Sequence, residues 1–103
     1  MTDHTEINRQ LALAIGWKEL LVDLYGQLWV GEPGQPLTGL FDYRHPDVIW
    51  PIAERYNCFP YALKDKQGRL TGCWGAWSGT PYSHASDNAA RAVAKAVTHK
   101  LKA

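Results

Sequence analysis

The sequence predicts an α+β fold: an antiparallel sheet of about four short strands, in two hairpins, layered with three helices in the order α-β-β-α-β-β-α. Three observations carry this reading. Apolar residues recur at helical spacing near both ends of the chain, at Ile7, Leu11, Ala14 and Ile15, and again at Ala90, Val93, Ala94, Val97 and Leu101. A third amphipathic stretch, Val48, Ile49, Ile52, Ala53 and Tyr56, follows the Pro46 breaker. Between these stretches lie short apolar segments separated by glycine turns, which suit hairpins.

The first helix opens at Asp3 with Glu6 three residues on, the spacing of a capping box, with Thr5 as the alternative cap. Asn8, Arg9 and Gln10 are expected to face outward. Gly16 falls where a left-handed residue ends a helix, and Trp17 can fold back over the last turn. Residues 18–30 read as a hairpin turning near Tyr25 and Gly26, with a second helix over 17–25 as the rival. Residues 32–40 contain Pro33, Gly34, Pro36 and Gly39 and read as a loop. No Gly-Lys-Ser/Thr follows, so this is not a phosphate-binding loop.

In the middle helix, Asp47 as N-cap costs one hydrogen bond at Pro51, whereas a start at Pro46 implies a kink. Trp50 is expected to wedge against the core. Residues 61–64 and 70–77 form the second hairpin around Lys66, Gln67, Gly68 and Arg69. Residues 78–82 read as a loop, and Ser86 or Asp87 caps a last helix over 88–101.

A chain of 103 residues is expected to build one domain, residues 1–103. Its apolar runs are far shorter than the roughly 20 residues that span a bilayer. The polar, acidic start lacks a signal-peptide pattern. A cytoplasmic location with no membrane partner follows as the expectation. A formal charge of +1 gives no overall attraction to nucleic acid. Five tryptophans are a heavy load for this length, and burying them would compensate for a poor surface-to-volume ratio.

Leu13-Ala14-Ile15-Gly16-Trp17, Trp29, Phe41-Asp42-Tyr43, Trp50-Pro51-Ile52-Ala53-Glu54, the tryptophan-bearing second hairpin and the alanine-rich stretch from Asp87 to Val97 make a combined pattern. Together they resemble the small phage and prophage accessory proteins that carry an ABA-sandwich domain, a sheet layered between helices. The resemblance runs from about Ile7 over nearly the whole chain, with residues 31–40 as the stretch where members would vary. It implies a phage setting in the cytoplasm of a bacterial host, and it implies no enzymatic activity, cofactor or catalytic residues.

The residues themselves point the same way. His45, His84, Cys58 and Cys73 lack the paired spacing of a zinc site. Pairing either cysteine with His45 or His84 gives a nucleophile and base without a local signature, and Asp42 and Asp47 have ordinary turn and capping roles. The expectation is therefore a non-catalytic protein with no cofactor and no metal, a module that binds a host or phage protein. Tyr43, Trp77 and Tyr82, on or near loops, are its candidate contacts, because aromatic anchors dominate interfaces. A homodimer closing on the same patch is a related arrangement. The alternative is a nucleic-acid-binding accessory protein: Arg91, Lys95, His99 and Lys102 step by four, four and three along one side of the last helix.

Overall fold

A computed structural model describes residues 3–34, 37, 39–77 and 81–102, and for 81–85 and 102 the backbone alone. Three helices alternate with six strands: α1 (Asp3–Ala14), β1 (Glu19–Val22), β2 (Leu28–Gly31), β3 (Gly39–Phe41), α2 (Pro46–Tyr56), β4 (Phe59–Lys64), β5 (Leu70–Trp77), β6 (Pro81–Ser86) and α3 (Ala89–Lys102). The class is α+β, and the two hairpins stand where the turn residues put them.

Each hairpin gains a third strand. β1, β2 and β3 make one antiparallel sheet, and β4, β5 and β6 make another. The stretch 32–40 is therefore not all loop. Gly39 and Leu40 pair with Val30 and Trp29, and Phe41 pairs with Leu28. Pro81 and Tyr82, read as loop, begin β6 and pair with Trp77 and Ala76. Three-residue strands such as β3 carry too little pattern to be seen locally; their pairing partner defines them.

Local chemistry explains the turns. In the first hairpin the Asp23 carboxylate accepts the amide hydrogens of Tyr25 and Gln27, both at 2.9 Å, an Asx-type turn closed by Gly26 at φ +77°. Asp65 repeats the device between β4 and β5, accepting from the Gln67 and Arg69 amides at 2.8 and 3.0 Å. The rival helix over 17–25 is thereby replaced by strand and turn. β4 begins earlier than the sequence suggests, at Phe59, and contains Pro60; an edge strand tolerates a residue without an N–H.

α2 begins at Pro46, with His45 in extended conformation before it. Pro51 continues the helix but lacks the N–H that would reach the Asp47 carbonyl. The helix ends at Asn57, left-handed at φ 54°, while the Cys58 amide reaches back to the Ala53 carbonyl at 3.0 Å. α3 is capped by Asn88 rather than by Ser86 or Asp87: its side-chain oxygen accepts the Arg91 amide hydrogen at 2.8 Å.

Packing runs from the first sheet through α1 and α3 to the second sheet, with α2 against α3. The helices thus join two sheets, where the ABA-sandwich resemblance implied one sheet between helices. The larger core gathers Leu11 and Ala12 from α1, Leu28, Val30 and Phe41 from the first sheet, and Ile49, Ile52 and Ala53 from α2, with Tyr43, Cys58, Val93, Ala94 and Val97. A smaller core sits on the other side of α3, where Ala92 and Ala96 meet Ala76, with Trp74 beside them. The buried face of α3 is therefore wider than its Val93–Val97 stripe, and Leu101, expected inside, is exposed.

Tryptophan does not fill either core. Trp50, expected to wedge inward, is 41% exposed, and Trp17 and Trp74 pack only at the margins. Trp29 is partly covered, its indole N–H donating to the Asp23 carboxylate at 2.9 Å. Branched aliphatic residues, alanine, Phe41 and Tyr43 supply the interior instead.

Candidate interaction surface

The second sheet has two unlike faces. Side chains alternate along a strand, so Trp74 and Ala76 on β5 point toward α3, and Trp77 points away from it. Phe59 stands directly opposite Trp77 in the register, and Tyr61 opposite Gly75, so these residues share the outward face. Phe59 is 47% exposed and Trp77 48%. Tyr61 and Cys73 on the same face are partly covered. Two large aromatic rings thus lie side by side on a sheet surface turned away from α3.

The other aromatic candidates divide. Tyr43 is not a surface anchor: it is 0% exposed and stands in the larger core. Its hydroxyl is hydrogen-bonded to His4 Nδ1 at 2.6 Å, and its backbone N–H donates to the Asn8 side-chain oxygen at 2.7 Å. Burial pushes its phenol above the ordinary tyrosine value, so the neutral form is favoured. Tyr82 pairs through its backbone with Ala76, and its side chain lies outside the described residues.

Around Tyr43 a polar knot ties α1 to the β3–α2 corner. Asn8, expected to look outward, is buried at 3% exposure, and its side-chain N–H2 donates to Asp42 at 3.5 Å. The Arg44 guanidinium donates to both Asp42 oxygens, at 2.7 to 3.1 Å, and the Arg44 amide adds a bond at 3.0 Å. Burial works against ionising Asp42, yet the Arg44 hydrogen bonds and charge outweigh it and hold the carboxyl below its usual range. Thr5 donates to the Gly26 carbonyl at 2.7 Å, which fixes the first hairpin to α1. Every partner in this knot belongs to the fold, and its chemistry is that of a clasp.

The basic stripe of α3 is uneven. The Arg91 guanidinium lies 3.9 Å from the Asp3 carboxylate and 3.8 Å from that of Asp87, which offsets its charge. Lys95 is partly covered, His99 is exposed, and the Lys102 side chain lies outside the described residues. Lys100 beside them donates to the Tyr56 carbonyl at 2.9 Å.

His45 is exposed at the start of α2, and the His84 side chain lies outside the described residues. Cys58 is fully buried, and burial raises its thiol above the ordinary value, which disfavours the thiolate. Among the described residues no group of three or more His, Cys, Asp or Glu side chains could hold a metal ion, and no helix is long and apolar enough to cross a membrane.

Phe59 is the surface residue that the sequence reading passed over. The alternation Phe59, Tyr61, Leu63 places it on the outward face, and Pro60 interrupts the strand pattern ahead of the expected start at Tyr61. Leu24 and Tyr25 are exposed at the tip of the first hairpin, beside the turn expected near Tyr25 and Gly26. Comparison with known proteins adds no assignment: no family model, no curated protein and no solved structure matches this chain.

Proposed function

We propose that the chain is a non-catalytic phage or prophage accessory protein, acting in the cytoplasm of the bacterial host as a protein-interaction module. The outer face of the second sheet is its contact surface. The observation that carries this reading is the Phe59–Trp77 pair, two cross-strand rings about half exposed on the sheet face opposite α3. Aromatic side chains give large contact area for few frozen torsions, and they anchor interfaces more often than other types. Their exposure needs a reason, because a small domain gains stability by covering such rings. The resemblance of the motifs to small phage proteins supports the setting.

The test is affinity capture from a bacterial lysate with the intact chain and with Phe59→Ala and Trp77→Ala variants. A partner held by the intact chain and lost by both variants is the expected result. Retention by both variants removes this face, and capture of nothing counts against the module reading. Solution mass of the intact chain reports whether the partner is a second copy.

A further inference from the structure

We infer that the cleft at the C-terminal end of α1 is a binding site for a small organic anion, a single carboxylate or phosphate joined to a flat apolar body. The cleft has a volume of about 370 Å3 and is lined by Ile15, Trp17, Lys18, Gly31, Glu32 and Arg55 among others. It lies apart from the second sheet and shares no residue with the aromatic face there, so it is independent of the interaction reading. Its size falls in the range of small-molecule sites, roughly 300–1,000 Å3.

The charges in the cleft are unspent. Among the described residues the Lys18 ammonium has no hydrogen bond or ion pair, and the Arg55 guanidinium has no carboxylate partner. Arg55 stands 5.5 Å from the centre of the Tyr56 ring, a cation–π contact that leaves its N–H donors available. Against these two cations stands one carboxylate, Glu32, so the lining charge is positive. Two chain segments distant in sequence thus bring an ammonium and a guanidinium to one concavity, a donor set suited to carboxylate or phosphate oxygen.

The helix end beside it is also prepared. A helix C-terminus ordinarily presents bare carbonyls that repel anions. Here the amides of Ile15, Gly16 and Trp17 donate to the carbonyls of Leu11, Leu13 and Ala12 at 3.0, 3.2 and 3.0 Å, which occupies three of those acceptors. Gly16 permits the turn with φ +110°, and apart from its chain neighbours no residue comes within 4 Å of where its Cβ would stand. Trp17 and Ile15, partly covered, supply apolar wall, and Glu32 offers an acceptor for a hydroxyl or amino group on the ligand body.

The experiment is titration of the full chain, followed by amide and indole nitrogen–proton spectra. Four probes are used: adenosine monophosphate, indole-3-acetate, inorganic phosphate and uncharged adenosine. The expected result is saturable shifts of the Trp17 indole and of the Lys18 and Arg55 amides with one or both ring-bearing anions. Preference for the nucleotide or for the acetate identifies phosphate or carboxylate as the head group. Lys18→Ala and Arg55→Ala should each weaken binding about tenfold or more, with thermal stability changed little, since both side chains are exposed and Arg55 gives up only its ring contact with Tyr56. Equal affinity for adenosine, equal affinity for bare phosphate, shifts confined to other residues, or full binding by the Lys18→Ala/Arg55→Ala double variant would each overturn the proposal. So would the absence of saturable shifts at millimolar probe.

Discussion

The Asn8 side-chain oxygen on α1 accepts the backbone N–H of Tyr43 at 2.7 Å, a hydrogen bond across 35 positions of sequence that closes the first helix onto the corner before the second. The same Asn8 gives its N–H2 to Asp42, so one buried side chain answers both partners at that corner. Replacing it with leucine leaves the Tyr43 amide without an acceptor in the core. Asn8→Leu should lower unfolding free energy by about 1–3 kcal/mol. Denaturant unfolding measures this, and a loss under about 0.5 kcal/mol, the scatter of exposed sites, would dismiss the clasp.

Asp42 makes the clasp sensitive to acid. Its folded carboxyl titrates below the ordinary value: burial opposes ionisation, and Arg44 more than compensates. A depressed folded value stabilises the protein above the unfolded pKa, about 3.9, and that contribution disappears as pH falls through the folded value. Unfolding midpoints measured from about pH 5 down to about pH 2 should therefore decline, and the decline should be shallower in Arg44→Gln. Superimposable acid limbs would show that the pair contributes nothing.

The seam between α3 and β5 is built of alanine, with Ala92 and Ala96 against Ala76. Such a seam has no room for added methylenes. Ala96→Leu should cost about 1–3 kcal/mol, and Ala96→Gly about 1 kcal/mol from helix propensity. Stability unchanged by the leucine would mean that the second sheet stands further from α3 than described.

Asn57 ends α2 in the left-handed region without being glycine. Glycine there should leave stability within about 0.5 kcal/mol of the parent, whereas alanine should lower it by about 1–2 kcal/mol. Thermal unfolding of the two variants side by side checks the sign, and an alanine variant as stable as the glycine one would rule out the strained cap.

What the sequence disclosed followed from chemistry that acts locally. Tyr25 with Gly26, and Lys66, Gln67, Gly68 and Arg69, mark the two hairpins, and the 3.6-residue repeats mark the helices, because these signals need no partner elsewhere. β3 and β6 escaped because their short segments become strands only by pairing with β2 and β5. Asn8 differs from the outward expectation because polarity on a helix ordinarily means solvent; its acceptor role depends on Tyr43, which arrives from the corner between β3 and α2. Tyr43 itself sits between Asp42 and Arg44, charges that mimic a surface context while pairing with each other. Of the candidate contacts, Trp77 remains on an open face, joined there by Phe59, which the β4–β5 register sets opposite it.

A single rod shared by two hydrophobic interiors has a mechanical implication. Val93, Ala94 and Val97 belong to one interior and Ala92 and Ala96 to the other, so melting α3 strips the lid from each simultaneously. Neither half can loosen alone at that boundary without exposing the other, which makes amide exchange in β2 and β5 rise together under mild denaturant.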